Sequence, residues 1–267
     1  MSTRRPRSSV NSSDMPPKKK ARLMTNQAVA SLSRNVSRKI NLSNSEYNFG
    51  TITKLNNRRL GVRLSRKLLN EFMKIYKKSY DNEIEYAGST KFTVNNIRGY
   101  VKFNTPTRVT NKNFKEVTPL LSDLESYIVY HTHPIPRDGS VYVTLPSDKD
   151  FTAYIQFYPY VQANIILEKH GYYVIDLLES DQFNKPDPTE VYKFFIDKVY
   201  TKMKFENVST VYKGIQFFKA TPESLQRVIN NYTDPLMRQK FGMSIRYHRY
   251  TELAEITLFD RERMMLP

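Results

Sequence analysis

The chain has 267 residues, 39% hydrophobic and 13% aromatic, enough to bury one good core with an appended subdomain. It contains no cysteine, which excludes disulfides and thiolate metal ligands, so any zinc must be held by histidine and carboxylate. No apolar run approaches bilayer-spanning length and the N-terminus is basic rather than signal-like, so the expectation is a soluble, cytosolically made protein with no membrane partner.

The formal charge of +16 is unevenly spread. Residues 1–44 carry ten Lys/Arg against a single acidic residue, Asp14, and are rich in Ser, Asn, Thr and Pro. Such a segment cannot offset its ordering entropy by burial, so a disordered basic tail is expected over 1–44. Within it, Pro16-Pro17-Lys18-Lys19-Lys20-Ala21-Arg22 looks like a nuclear-localisation signal, with Lys18, Lys19, Lys20 and Arg22 as its basic positions. A nucleic-acid-binding arm, a tail ordered by a larger assembly, and a plain solvated charge run are the competing readings.

Leu64, Leu68, Leu69, Phe72, Met73, Ile75 and Tyr76 repeat at helical spacing and predict a helix over 64–78, broken at Asp81-Asn82. Residues 84–89 read as a strand. Phe92-Thr93-Val94 and 97–103 read as the arms of a hairpin, 104–113 as a loop and 117–126 as a helix.

Tyr127-Ile128-Val129-Tyr130 is a further strand, and His131 and His133 follow it directly, two of only four histidines in the chain. Residues i and i+2 of a strand face the same way, so both imidazoles can reach one ion. Pro134 ends the pairing, and Ser147 is well placed as the N-cap of a short helix holding Asp150 and ended by Pro159. Two histidines and a carboxylate make a three-ligand zinc set with a fourth position free for water.

The pattern H-x-H-P, then S-x-x-D, with E-x-x-G upstream, resembles the JAMM motif of the MPN-domain metalloproteases, over roughly 64–179. Glu85 stands three residues before Gly88 and matches that family's glutamate better than Glu83 does. The resemblance implies an MPN-like mixed sheet packed with helices, of α/β or α+β class. It implies one Zn2+ held by His131, His133 and Asp150, with Glu85 as proton shuttle and Ser147 as oxyanion donor. The implied reaction is hydrolysis of amide or isopeptide bonds in a protein substrate such as a ubiquitin-like conjugate. The gap from Pro134 to Ser147 is longer than the family pattern, and Asp138-Gly139 with Val141-Tyr142-Val143 suggests an inserted hairpin. That leaves Asp138 and Asp148 as alternative third ligands.

Residues 163–168 and 172–178 predict another hairpin around a turn at His170-Gly171, with His170 solvated. The metalloprotease-like domain is thus assigned to 45–180, and 181–267 to an extension of helices and strands. In it, Asp187-Pro188 and Thr221-Pro222 start helices, Asp234-Pro235 starts a further helical turn, and 245–259 gives one or two strands. His248 reads as a surface histidine, or as part of a basic patch with Arg246 and Arg249. The non-enzymatic alternative is an MPN-fold scaffold, or a virion or nucleic-acid-associated structural protein with a basic arm; the abundance of Asn, Lys and Tyr suits such a source.

Overall fold

The computed structural model describes residues 48–56, 59–95, 100–107, 109–110, 127–133, 135, 142–177, 185–203, 209–212 and 215–259. The basic tail, the helix expected at 117–126, and Asp138 with its turn lie outside the described residues.

One mixed sheet organises the chain. Its strands are β1 (Asn48–Asn56), β2 (Arg59–Arg63), β3 (Tyr86–Asn95), β4 (Tyr100–Phe103), β5 (Val109–Thr110), β6 (Tyr127–Thr132), β8 (Val161–Leu167), β9 (Gly171–Leu177), β12 (Met243–Arg249) and β13 (Glu255–Phe259). Their order is β12-β9-β8-β6-β3-β4-β1-β2-β13, with β5 added on β3. β6 and β8 pair in parallel, whereas the other described pairs are antiparallel. A parallel pair needs a crossover, and helix α2 (Asp148–Phe157) lies in it. A smaller antiparallel sheet joins β10 (Ser209–Tyr212), β11 (Ile215–Lys219) and β7 (Tyr142–Thr144).

The large sheet curls until β13 meets β9. The buried Asp176 carboxylate, on β9, accepts from the Thr257 N–H at 2.7 Å and from Arg246 Nη2 at 2.8 Å. Arg246 also donates to the Glu255 carbonyl, so one acid–base pair fastens β9, β12 and β13 together.

The curl creates two cores, one on each face. Ile165, Leu167, Tyr172 and Val174 point inward with Leu60, Val62, Phe103 and Leu258, and α1 (Arg66–Asn82) adds Leu68, Leu69 and Phe72. Ile166, Tyr173, Ile175, Ile245 and Tyr247 face outward under the helices. There they meet Phe151 and Tyr154 of α2, Val191 and Phe195 of α3 (Pro188–Lys202), Leu225 of α4 (Pro222–Val228) and Met237 of α5 (Asp234–Phe241). Because both faces are covered, all seven residues of β8 and of β9 are buried, the polar Gln162, Asn164 and Asp176 included.

Several boundaries differ from the sequence expectation. Helix α1 starts after Ser65, whose Oγ accepts from the Leu68 N–H at 3.1 Å, and it runs through Asn82 rather than breaking at Asp81. Glu83 ends it in the left-handed conformation, φ 53°. β3 is one ten-residue strand where the sequence suggests two pieces, and its Phe92–Asn95 end forms the expected hairpin with β4. Among the described residues β7 pairs with β11, not with a local hairpin partner. β12 and β13 carry the C-terminal stretch back into the main sheet.

Between α4 and α5 the chain makes a π-helical turn, Ile229–Thr233. Pro235 has no N–H to give the helical ladder, and the widened turn before it accommodates that loss. Asp234, also buried, accepts from Arg238 Nε at 2.7 Å, Ser244 Oγ at 2.7 Å and the Ile245 N–H at 2.9 Å, tying α5 to β12.

Candidate metal centre

Three elements converge at one end of β6. His131 is the fifth residue of that strand and His133 follows it, held by its N–H donating to the Leu167 carbonyl at 2.9 Å. Thr132, between them, faces the other way. Its Oγ1 meets Ser79 Oγ at 2.6 Å and accepts from the Tyr86 N–H at 2.9 Å, while Ser79 Oγ donates to the Ile84 carbonyl at 2.6 Å. This small buried network fixes the segment carrying Glu85 against the end of β6. The sequence reading missed it, and the only signal was a hydroxyl between the two histidines.

Asp150 arrives from the first turn of α2. Its Oδ2 accepts from the Ser147 N–H at 2.6 Å and from Ser147 Oγ at 2.9 Å. The carboxylate therefore caps its own helix and is aimed at the histidines by that cap. His131 Nε2 lies 2.9 Å from Asp150 Oδ1, His133 Nε2 lies 3.9 Å from Asp150 Oδ2, and the two Nε2 atoms are 3.0 Å apart.

These separations fit a metal. One ligand atom from each of His131, His133 and Asp150 lies within 4.8 Å of the others, close enough to reach a single ion. Side-chain accessibility is 14% for His131, 7% for His133 and 11% for Asp150, so the cluster is largely dry. Asp148 is exposed on α2 and no cluster of metal-ligating donors includes it among the described residues.

Glu85 lies beside this cluster rather than in it, near enough for the His131 and Asp150 charges to act on it. Ala87 pairs with His131 across β3 and β6, and carrying that antiparallel register outward sets Glu85 opposite His133. Directly opposed residues share a face, so Glu85, Ala87, His131 and His133 all lie on one side, with the small Ala87 leaving room beside the ring. Glu83 instead closes α1. Gly88 has a steric reason: a Cβ there would overlap the Thr107 carbonyl and lie 2.7 Å from the Tyr130 hydroxyl.

The electrostatics follow the geometry. Burial disfavours a charged Asp150, but His131, by charge and hydrogen bond, with His133 and the Ser147 N–H, holds its carboxyl well below the usual range. Burial also opposes a charged His131, yet Asp150, aided by Glu85, carries its pKa above the ordinary value. His133 is pushed down to about 4 by burial and by His131. Burial, partly countered by His131 and reinforced by Asp150, raises Glu85 above the usual carboxylate range.

The other two histidines in the described residues stand apart. His170 is only half-buried and its Nε2 lies in a dry spot, so it is not simply solvated. His248 is not a surface residue: it packs on the Tyr172 ring at 5.6 Å, sits 3.7 Å from Glu252, and burial with the Arg246 charge pushes it down to about 4. Comparison of the chain with protein-family models, curated proteins and solved structures returns no match.

Proposed function

We propose that this chain is a zinc-dependent hydrolase of amide or isopeptide bonds, built on an MPN-like sheet with a JAMM-type site. The observation that carries the reading is the convergence of His131, His133 and Asp150, their ligand atoms within 4.8 Å of one another, with Glu85 close beside them. His131 and His133 offer Nε2 and Asp150 a carboxylate oxygen, a set that holds zinc and leaves one position open. A zinc ion held there would polarise a scissile carbonyl and would lower the pKa of a bound water from 15.7 to about 7.

The protein groups do the rest. Glu85 takes the water proton as the oxygen adds to the carbonyl carbon, then delivers it to the amine nitrogen as the C–N bond breaks. Burial raises its carboxyl above the usual range. Ser147 turns its hydroxyl from Asp150 to the carbonyl oxygen as that oxygen gains charge, while its N–H keeps Asp150 in place. The substrate class, a protein carrying a ubiquitin-like modifier, comes from the JAMM resemblance. The run Lys18, Lys19, Lys20 and Arg22 is read with it as a nuclear-import signal.

The test is a panel of isopeptide-linked and peptide-linked conjugates incubated with zinc-loaded chain and with a Glu85→Gln variant. Cleavage by the wild type and its loss in the variant is the expected pattern. Zinc bound without cleavage of any conjugate would favour the scaffold alternative.

A further inference from the structure

We infer that Glu168 is the positioning carboxylate of the metal centre: it receives the Nδ1–H of His133 and fixes that ring with Nε2 toward the ion. The inference rests on the metal reading above and adds a residue that the H-x-H-P and S-x-x-D pattern does not contain.

Two orphaned atoms carry it. His133 Nδ1 and Glu168 Oε1 are both buried without a hydrogen-bond partner, and they face each other at 3.9 Å. Leaving buried polar groups unpaired is costly, and native structures rarely do so without a reason. The parallel ladder explains how they come to face each other. Thr132 pairs with Leu167 and the His133 N–H donates to the Leu167 carbonyl, so the residue after each strand end lies beside its counterpart. Glu168 is 3% exposed, and its own N–H donates to the Gly171 carbonyl at 2.9 Å, which fixes the backbone at the turn.

Thr144, which ends β7, lies close enough for its backbone N–H to act on the same carboxyl. When Nε2 of a histidine binds a metal, the ring proton must sit on Nδ1, and a carboxylate placed there sets tautomer and orientation. A ring rotation that shortens 3.9 Å to about 2.8 Å satisfies both orphans at once.

The experiment uses the full chain, with zinc as the probe. Zinc affinity is measured by competition with a chromophoric chelator for wild type, Glu168→Ala and Glu168→Gln. The His133 Nδ1–H is followed by 15N-resolved NMR in the zinc-loaded wild type. Glu168→Ala should weaken zinc binding by about 10–100-fold, while Glu168→Gln, which keeps an acceptor oxygen, should retain most of the affinity. The Nδ1–H of zinc-loaded wild type should exchange slowly with solvent. Equal affinity in Glu168→Ala, or an Nδ1–H exchanging as fast as an exposed imidazole, overturns the inference while leaving the metal site standing. Should the alanine variant not fold, the exchange rate in wild type decides alone. A wild type that takes up no zinc removes both this inference and the metal reading.

Discussion

At the scale of single residues, the proposed site has groups that would hold the ion and groups that would work beside it. Glu85→Gln keeps the side-chain volume and removes the basic carboxylate, so zinc content and thermal midpoint should stay the same while hydrolysis falls by about 10²–10⁴. Ser147→Ala should lower the rate by about 10²–10³, since one oxyanion donor is lost but the Ser147 N–H still anchors Asp150. Asp150→Asn acts differently: it removes the charged ligand, and zinc affinity itself should drop in a chelator titration. His131 and His133 were legible because residues two apart on a strand share a face, whereas Asp150 was picked over Asp138 and Asp148 on the S-x-x-D spacing. Glu85 came from a motif match, and the register that sets it opposite His133 is tertiary. Glu168 was not legible, because its nearness to His133 depends on β6 and β8 pairing in parallel across α2.

At the scale of elements, local chemistry predicted existence better than extent. The stripe from Leu68 to Tyr76 gave α1, but its start was set by the Ser65 cap and its end by Glu83 entering the left-handed region. Ser65→Ala should cost about 1 kcal/mol in urea denaturation, the usual loss of a cap. β7 shows the limit of local reading: Tyr142-Val143-Thr144 looks like a hairpin arm, yet its partner β11 lies some seventy residues later, at Phe217 and Phe218. The Gly of E-x-x-G has a mechanism that sequence alone cannot give, the close approach of the Thr107 backbone. Gly88→Ala should destabilise by about 1–3 kcal/mol, the range for overpacking, and should disturb zinc binding because β3 pairs with β6 at His131.

At the scale of the whole molecule, an α/β layer structure was legible from alternating strand and helix patterns, but the curl was not. It depends on Asp176, Arg246 and the Thr257 N–H meeting across β9, β12 and β13. Asp176→Ala leaves a buried guanidinium without its partner and should cost about 3–5 kcal/mol, seen as a lowered denaturation midpoint. The proposed site depends on the same assembly, since its proposed ligands come from the end of β6 and the start of α2, and its proposed acid–base group from the segment before β3. The most direct measurement is therefore zinc per chain by elemental analysis, on protein purified without chelator and again after zinc addition and desalting. One zinc per chain is expected in wild type and none in His131→Ala or His133→Ala, with all three folded by circular dichroism. A folded wild type that holds no zinc and takes up none would contradict it.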